Sequence, residues 1–226
     1  MKVVVLSDIH GNLPALNAVL DDIPTFDSIV CCGDMVGYYP DANEVCNILR
    51  ERNAFVVRGN HEAYLLGAIT PLKERQNSYR TNWIRDRLST ENLSWLASLP
   101  TDIIFSWDKS CVHLRHASPW DEETYIYPNS KKLTDINLKK DEFLFIGHTH
   151  HPMWIQVGEG MILNPGSVGQ PRDWNPLASY AIFDSITNSV EIRRVKYNVS
   201  LYQKKLTKLG WDNSTIDILS RRKDIL

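Results

Sequence analysis

The sequence predicts an α/β protein with a parallel sheet covered by helices, followed by a second and more antiparallel set of strands. Three observations carry this. Short apolar runs alternate with amphipathic stretches over the first 60 residues, the order that produces parallel strands joined by helical crossovers. Each early run breaks into a polar turn of Gly, Asp, Asn or His. Beyond Pro100 the helical spacing disappears, and strand-like runs follow one another between turns.

The elements can be justified in order. Lys2 to Leu6 is a short apolar strand that ends in "SDIHGN". In "LPALNAVLDDI", Leu13, Leu16, Val19, Leu20 and Ile23 recur at helical spacing. Pro14 stands near the start of that helix, where proline is tolerated. "FDSIVCCGD" is a second strand ending at Gly33 and Asp34. "DANEVCNILRER" is a helix with Val45, Ile48 and Leu49 inward, and "AFVVRGNHE" is a third strand. The stretch 62–100 is expected to be helical, with Trp83, Ile84, Leu88, Leu93, Leu96 and Leu99 on one face, Ser89 and Thr90 as caps, and Pro100 ending it. The runs "DIIFSW", "CVHLRH", "EFLFIGH", "WIQVG", "MILNPGS", "SYAIFD" and "SVEIRRVKY" are then read as the second sheet. The tail from about Leu201 is expected to be helical, with Ser214 and Asp217 as a capping pair. No repeat, low-complexity segment or linker composition divides the chain. One domain over 1–226 is expected, with 62–100 as a helical insertion and 200–226 as a C-terminal helical tail.

Composition narrows the function. A chain of 226 residues can bury a full core. Its hydrophobic share of 43% and charged share of 23% are those of an ordinary soluble protein. A net charge of −2 gives no global signature of nucleic-acid binding, so nucleic acid is expected only as a substrate. The first apolar run, Val3 to Leu6, is too short for a signal peptide, and no stretch approaches a membrane span. A cytoplasmic location is expected. Cys31, Cys32, Cys46 and Cys111 have no CxxC spacing and are expected to be reduced thiols.

Five polar clusters carry the chemistry: "SDIHGN" (7–12), "CGDMVG" (32–37), "RGNHEA" (58–63), "RHASP" (115–119) and "GHTHHP" (147–152). Each alone reads as an ordinary turn or cap. Together they supply carboxylate, imidazole and amide oxygen at strand ends. Asp8, Asp34 and Asn60 recur at an interval of 26 residues, which places them at neighbouring strand ends on one rim of a sheet. That mixture fits two divalent ions about 3.5–4 Å apart that clamp a phosphate ester. One carboxylate can bridge the pair, while imidazoles and an amide complete the shells. Mn²⁺, Fe²⁺ and Zn²⁺ accept mixed nitrogen and oxygen ligands; Mg²⁺ and Ca²⁺ prefer oxygen.

The order Asp8-Ile9-His10, Gly33-Asp34, Gly59-Asn60-His61-Glu62, His116 and Gly147-His148-Thr149-His150, extended by "NPGSVGQPR" (164–172), resembles the calcineurin-like metallophosphoesterase superfamily, in particular its small single-domain phosphodiesterase-type branch. The resemblance implies a four-layer αββα sandwich, two mixed β-sheets packed face to face and flanked by helices. It implies that Asp8, His10 and His150 bind one metal, that Asn60, His116 and His148 bind the other, and that Asp34 bridges both. His61 would be no ligand; it would sit beside the bound phosphate, stabilising charge or protonating the leaving oxygen. The cofactor implied is a pair of divalent ions, Mn²⁺ first, with Fe, Zn, Ni or Co as alternatives. A hydroxide between them would attack phosphorus in line, with no covalent phosphoenzyme. A phosphodiester is the first choice of substrate and a phosphomonoester, including a phosphoprotein, the second. The rival readings are a non-hydrolytic protein-interaction scaffold with the same fold, and a nucleotide or metal sensor. Retention of every expected ligand type and of His61 weighs against the scaffold.

Other residues are weaker candidates. His148 and His150 would share one face of an extended segment, with His151 pointing the other way. His113 has the opposite strand parity to His116, so a packed or exposed imidazole is expected. Arg172 is a candidate for the wall of the site. Arg58 is a candidate for a phosphate contact or for a structural ion pair. Lys73, Arg75, Arg80, Arg85 and Arg87 are expected mostly on a solvated face. Two segments depart from the family pattern. "SPWDEETYIYP" (118–128) is divergent, and Trp174, Asn175 and Leu177 stand where relatives carry a Gly-Asp pair and an Arg. Both bear on the substrate rather than on the metals.

Overall fold

The structure, a computed structural model, describes residues 1–222. The chain opens β1 (Lys2–Leu6), α1 (Leu13–Asp22), β2 (Ser28–Cys31), α2 (Ala42–Glu51), β3 (Phe55–Val56). The expected helical stretch follows as α3 (Asn60–Leu66), α4 (Gln76–Tyr79), α5 (Thr81–Arg85) and α6 (Thr90–Ser98). Next come β4 (Asp102–Trp107), β5 (Ser110–Arg115), β6 (Glu142–Phe145), β7 (Met153–Val157), β8 (Gly160–Asn164), β9 (Ala178–Asp184) and β10 (Ser189–Val195). The tail holds α7 (Val199–Lys208) and α8 (Asn213–Asp217).

Local chemistry sets several of these boundaries. The Asn12 side chain accepts from the Ala15 amide to start α1, one residue before Leu13 and Pro14. Ser89 does the same for α6, accepting from the Asn92 amide at 3.1 Å. Gly67, left-handed at φ +75°, stops α3. The capping expectation in the tail needs correction: α8 begins after Asp212, so Ser214 lies inside its first turn. The part of the expected tail helix over 223–226 lies outside the described residues.

Two five-stranded mixed sheets face each other. The first has the order β10-β9-β1-β2-β3, with β1, β2 and β3 parallel. The second has the order β4-β5-β6-β8-β7. Two assignments from sequence change here. The runs at 178–184 and 189–195 return to the first sheet, where β9 pairs antiparallel with β1. The reason is burial: Ala178 to Phe183 are buried on both faces, which demands a central position between β1 and β10. The second sheet is also less antiparallel than its turns suggest. β5, β6 and β8 are parallel, with β4 and β7 antiparallel at the edges.

The sandwich core lies between the sheets, where Val3, Val5 and Val30 meet Leu114, Phe143 and Phe145. On the outer face of the first sheet, Leu16, Val19, Val45 and Leu49 of α1 and α2 pack over Val4, Leu6 and Ile29. The outer face of the second sheet is covered more thinly, by a 3₁₀ turn at Lys131–Asp135 and its flanking chain, with Ile126, Ile136 and Leu138 over Leu144 and Ile162. The tail packs Tyr202, Leu206 and Trp211 onto Tyr38 and Tyr39, directly behind the loop that follows β2. This topology gathers the carboxyl ends of β1, β2, β3, β5 and β6 along one rim, and every predicted site cluster sits there. No helix among the described residues is long and apolar enough to cross a membrane.

Candidate metal centre

The loops of the rim are bonded to one another before any side chain is considered. The amide of Asp8 donates to Gly33 O (3.0 Å), that of His10 to Asp34 O (2.9 Å), and those of Val168 and Gly169 to Ser7 O and Asp8 O. Asp8, His10, Asp34, His148 and His150 all adopt left-handed backbone, with φ between +52° and +64°. Asp and His enter this region more readily than most residues, yet such strain typically costs about 1–3 kcal/mol each. The geometry corrects the expectation of an extended segment at 147–152. β6 stops at Phe145, and turns rather than a pleat bring His148 and His150 to the same place.

Both carboxylates are held by one oxygen and present the other. Asp8 Oδ2 accepts from Ser7 Oγ (2.6 Å) and from the His148 amide (3.0 Å). Its Oδ1 is buried without a hydrogen-bond partner, 3.2 Å from His150 Nε2. Asp34 Oδ1 accepts from the His61 amide (2.9 Å). Its Oδ2 lies 3.4 Å from His116 Nε2, 3.8 Å from His10 Nε2 and 4.0 Å from His61 Nε2.

Four imidazoles follow one rule. His10 Nδ1 bonds Val36 O (2.9 Å), His116 Nδ1 bonds Cys32 O (2.7 Å), His150 Nδ1 bonds Gln170 O (2.6 Å), and His148 Nε2 bonds the backbone oxygen of Glu123 (3.0 Å). A ring nitrogen that donates to a carbonyl leaves the other nitrogen of a neutral imidazole with its lone pair. Those lone pairs point at one another. His10 Nε2 and His150 Nε2 are 3.1 Å apart. His148 Nδ1 is 3.2 Å from His116 Nε2, and Asn60 Oδ1 stands 3.0 Å from the first and 2.8 Å from the second. Acceptors crowded in this way, beside an orphaned carboxylate oxygen, fit divalent cations. Asp8, His10 and His150 form one group of ligand atoms within 4.8 Å of each other, and Asp34, His116 and His148 form another. Asp34 also groups with His10 and His61.

Burial favours the neutral imidazole. It drives His10 well below its ordinary value, lowers His150, and brings His148 down to about 3 and His61 to about 4. His116 is the exception. Burial again opposes its charge, but the facing Asp34 carboxylate outweighs this and raises it to about 10. A bound ion would take the place of that proton. Burial also works against ionisation of Asp8 and Asp34. The imidazoles that face them, His150 for Asp8 and His116 with His61 for Asp34, prevail and hold both well below the usual carboxylate range.

His61 begins α3 next to Asn60, its ring centroid 4.4 Å from that of Tyr79 and 4.9 Å from that of Tyr38. Its Nδ1 is buried without a hydrogen-bond partner among the described residues. Gly37 makes room for it: φ there is +88°, and an added Cβ would fall 2.1 Å from His61 Nδ1. Gly37→Ala is therefore expected to displace His61 and slow turnover about a hundredfold, the effect typical of a misplacement near 1 Å. Calorimetry of the same variant should find as many divalent ions per chain as in the original protein.

Glu62 stands in the motif, but sequence reasoning gave it no role. Its carboxylate accepts four backbone amides: Asp34 (2.9 Å), Met35 (2.8 Å), Val36 (3.1 Å) and Gly59 (2.8 Å). It thus ties the loop after β2 to the start of α3. Burial and the Asp34 charge push its pKa up to about 7, against the pull of those donors. The available signal was an acid three residues after a helix-capping Gly. Glu62→Ala leaves several buried N–H groups unpaired and is expected to destabilise the protein by about 3 kcal/mol or more, read from denaturant midpoints. Asn164 and Ser167 were also missed as supports. The first bonds Gly147 O (2.6 Å) and Thr149 Oγ1 (3.0 Å), the second Asp8 O (2.7 Å).

The remaining candidates separate. Arg172 enters the site, with Nη2 donating to Tyr38 OH (2.9 Å) and Gln170 Oε1 (2.7 Å), and lines a cavity beside His148. Arg58 makes a two-pronged ion pair with Glu122 (2.9 and 3.2 Å) and does not line that cavity. His151 packs edge-on against Tyr127, outside the ligand groups. His113 stands on the alternate parity of β5, with Nε2 3.7 Å from Cys111 Sγ.

Comparison with known proteins identifies the family. The profile of the calcineurin-like phosphoesterase superfamily domain matches residues 1–188. An uncharacterised protein of Methanocaldococcus jannaschii is 34% identical, over 91% of this chain and 92% of that one. The phosphodiesterase YfcE of Escherichia coli is 30% identical, over 84% of this chain and 91% of that one. The crystal structure of a metallophosphoesterase from Sphaerobacter thermophilus superposes with a TM-score of 0.84 at 30% identity, covering 98% of both chains. The chain belongs to the calcineurin-like phosphoesterase superfamily, and with it to the metal-dependent phosphoric ester hydrolases.

Proposed function

We propose that this protein is a dinuclear-metal phosphoesterase that hydrolyses phosphate esters by in-line attack of water, diesters in preference to monoesters. One observation carries the reading: imidazole lone pairs, two carboxylate oxygens and an amide oxygen converge in two adjacent groups, with Asp34 Oδ2 3.4 Å from His116 of one and 3.8 Å from His10 of the other. In this reading Asp8, His10 and His150 hold one ion, Asn60, His116 and His148 hold the other, and Asp34 Oδ2 serves both. The mixed donor set suits Mn²⁺, with Fe, Zn, Ni or Co compatible. Two such ions, when bound, supply Lewis acidity at the phosphoryl oxygens and an acidified water for the attack.

The protein's own groups do the rest. The second nitrogen of each ligand histidine is fixed on a backbone carbonyl, which sets ring orientation before metal arrives. His61 stands at the edge of the ligand groups, placed to stabilise charge or to protonate a leaving alkoxide. Arg172, oriented by Gln170 and Tyr38, places a fixed positive charge at the site wall. His61 can assist a poor alkoxide leaving group, and the YfcE relative carries the name phosphodiesterase. The tail belongs to the same catalytic domain in this reading, because Tyr202 and Trp211 support the loop of Tyr38 and Tyr39. Cys31, Cys32, Cys46 and Cys111 are all free, which suits a cytoplasmic setting.

Matched mono- and diesters with the same leaving group test the substrate class. The Mn²⁺-loaded protein should hydrolyse the diester faster in kcat/KM. A monoester rate equal to or above it would reverse the assignment.

A further inference from the structure

A cavity of about 630 Å³ opens beside His148, within the size range of small-molecule sites. Its lining is more specialised than a site for phosphate alone requires. Tyr64 and Tyr79 stand in it with ring planes 8° apart and centroids 5.6 Å apart. Tyr125, from the divergent 118–128 segment, lies over the imidazole of His148 with centroids 4.1 Å apart. Arg75, Arg172 and Arg221 add positive charge against the carboxylate of Glu123.

Packing accounts for some of these rings. Tyr38 is buried, and Tyr64 donates its hydroxyl to Glu123. Packing accounts for only part of Tyr125, which stacks against Tyr127 with centroids 6.0 Å apart and leans on a ligand histidine yet keeps 45% of its surface exposed. A half-exposed aromatic face at this point is a platform for a planar group carried by whatever binds at the ligand cluster. The cationic lining calls for an anion around it.

We propose that this cavity is a nucleotide subsite in which Tyr125 stacks on the base and Arg172 and Arg221 face the phosphates. The inference rests on the phosphoesterase reading of the adjacent ligand groups and names its substrate class. Residues of the 64–79 stretch and of 214–221 close the cavity on two sides, which selects a small nucleotide over a continuous strand. The 214–221 wall, with Arg221, lies outside the 1–188 family match, whereas Tyr125 and Arg172 lie within it.

Calorimetry on the Mn²⁺-loaded full chain tests this with adenosine monophosphate and ribose 5-phosphate, which differ by the base. One stacked base corresponds to about 5- to 150-fold in affinity, so the nucleotide should bind tighter by a factor in that range. Tyr125→Ala should bring the ratio below about twofold with ribose 5-phosphate affinity retained, and Tyr125→Phe should keep the ratio. A ratio near one in the unsubstituted protein, a ratio that survives Tyr125→Ala, or no measurable binding of either compound would overturn the inference. Hydrolysis of a chromogenic diester by the same preparation reports separately on the phosphoesterase reading. Turnover with a ratio near one removes only the base subsite. The expected ratio without turnover removes the hydrolytic reading and leaves a nucleotide-binding site.

Discussion

Asp34→Asn is expected to lower phosphodiester hydrolysis about a thousandfold or more while the fold stays intact. Asp34 Oδ2 lies 3.4 Å from His116 Nε2 of one ligand group and 3.8 Å from His10 Nε2 of the other, with His61 Nε2 at 4.0 Å, so it stands between the two groups. The amide retains an oxygen for the His61 N–H that Asp34 Oδ1 now accepts. At the Oδ2 position it puts a neutral group where the proposed metal pair calls for a bridging anion. Charge stabilisation by a metal pair is worth several kcal/mol, and about 1.4 kcal/mol is tenfold in rate. The substitution also removes the carboxylate that holds His116 protonated, so the metal-free protein should melt below the original while remaining folded. Steady-state rates, with calorimetry to show bound ions falling from two to one, check the result. Near-original turnover would remove Asp34 from its bridging role.

His61→Ala carries the second large effect, a fall of about 10²–10⁴ in kcat, the range for a positioned acid–base group. His61 differs from the ligand histidines in its surroundings. Neither ring nitrogen bonds a backbone carbonyl: Nδ1 has no partner, and Nε2 comes no nearer than 4.0 Å to Asp34 Oδ2. Its removal should therefore leave two ions bound and KM little changed. The ring also packs between Tyr38 and Tyr79. His61→Gln, which keeps most of the volume, separates chemistry from packing and should show the same fall. Loss of an ion in either variant would make His61 a ligand instead.

Much of this site was legible because it depends on residue type at strand ends. Asp8, Asp34 and Asn60 follow three consecutive parallel strands of one mixed sheet, and the right-handed crossovers that join such strands put their ends on one rim. The fates of β9 and β10 were not legible, because turn spacing reveals strands without saying which sheet receives them. Central burial of β9 decided that. The left-handed backbone at Asp8, His10, Asp34, His148 and His150 was equally hidden, since it is imposed by hydrogen bonds between loops far apart in sequence. Arg58 shows the same limit from the other side. A cation beside Gly-Asn-His suggested a phosphate contact, but Glu122, distant in sequence, engages it. Tyr125 stood in a stretch marked only as divergent, and its position over His148 depends on the path of the whole 118–128 segment.

The most direct measurement is an add-back titration of chelator-stripped protein with Mn²⁺, following hydrolysis of a chromogenic phosphodiester against ions bound per chain. A dinuclear site predicts little activity at one ion and full activity at two. Full activity at one ion, or none with two bound to folded protein, would contradict a hydrolytic metal pair joined through Asp34.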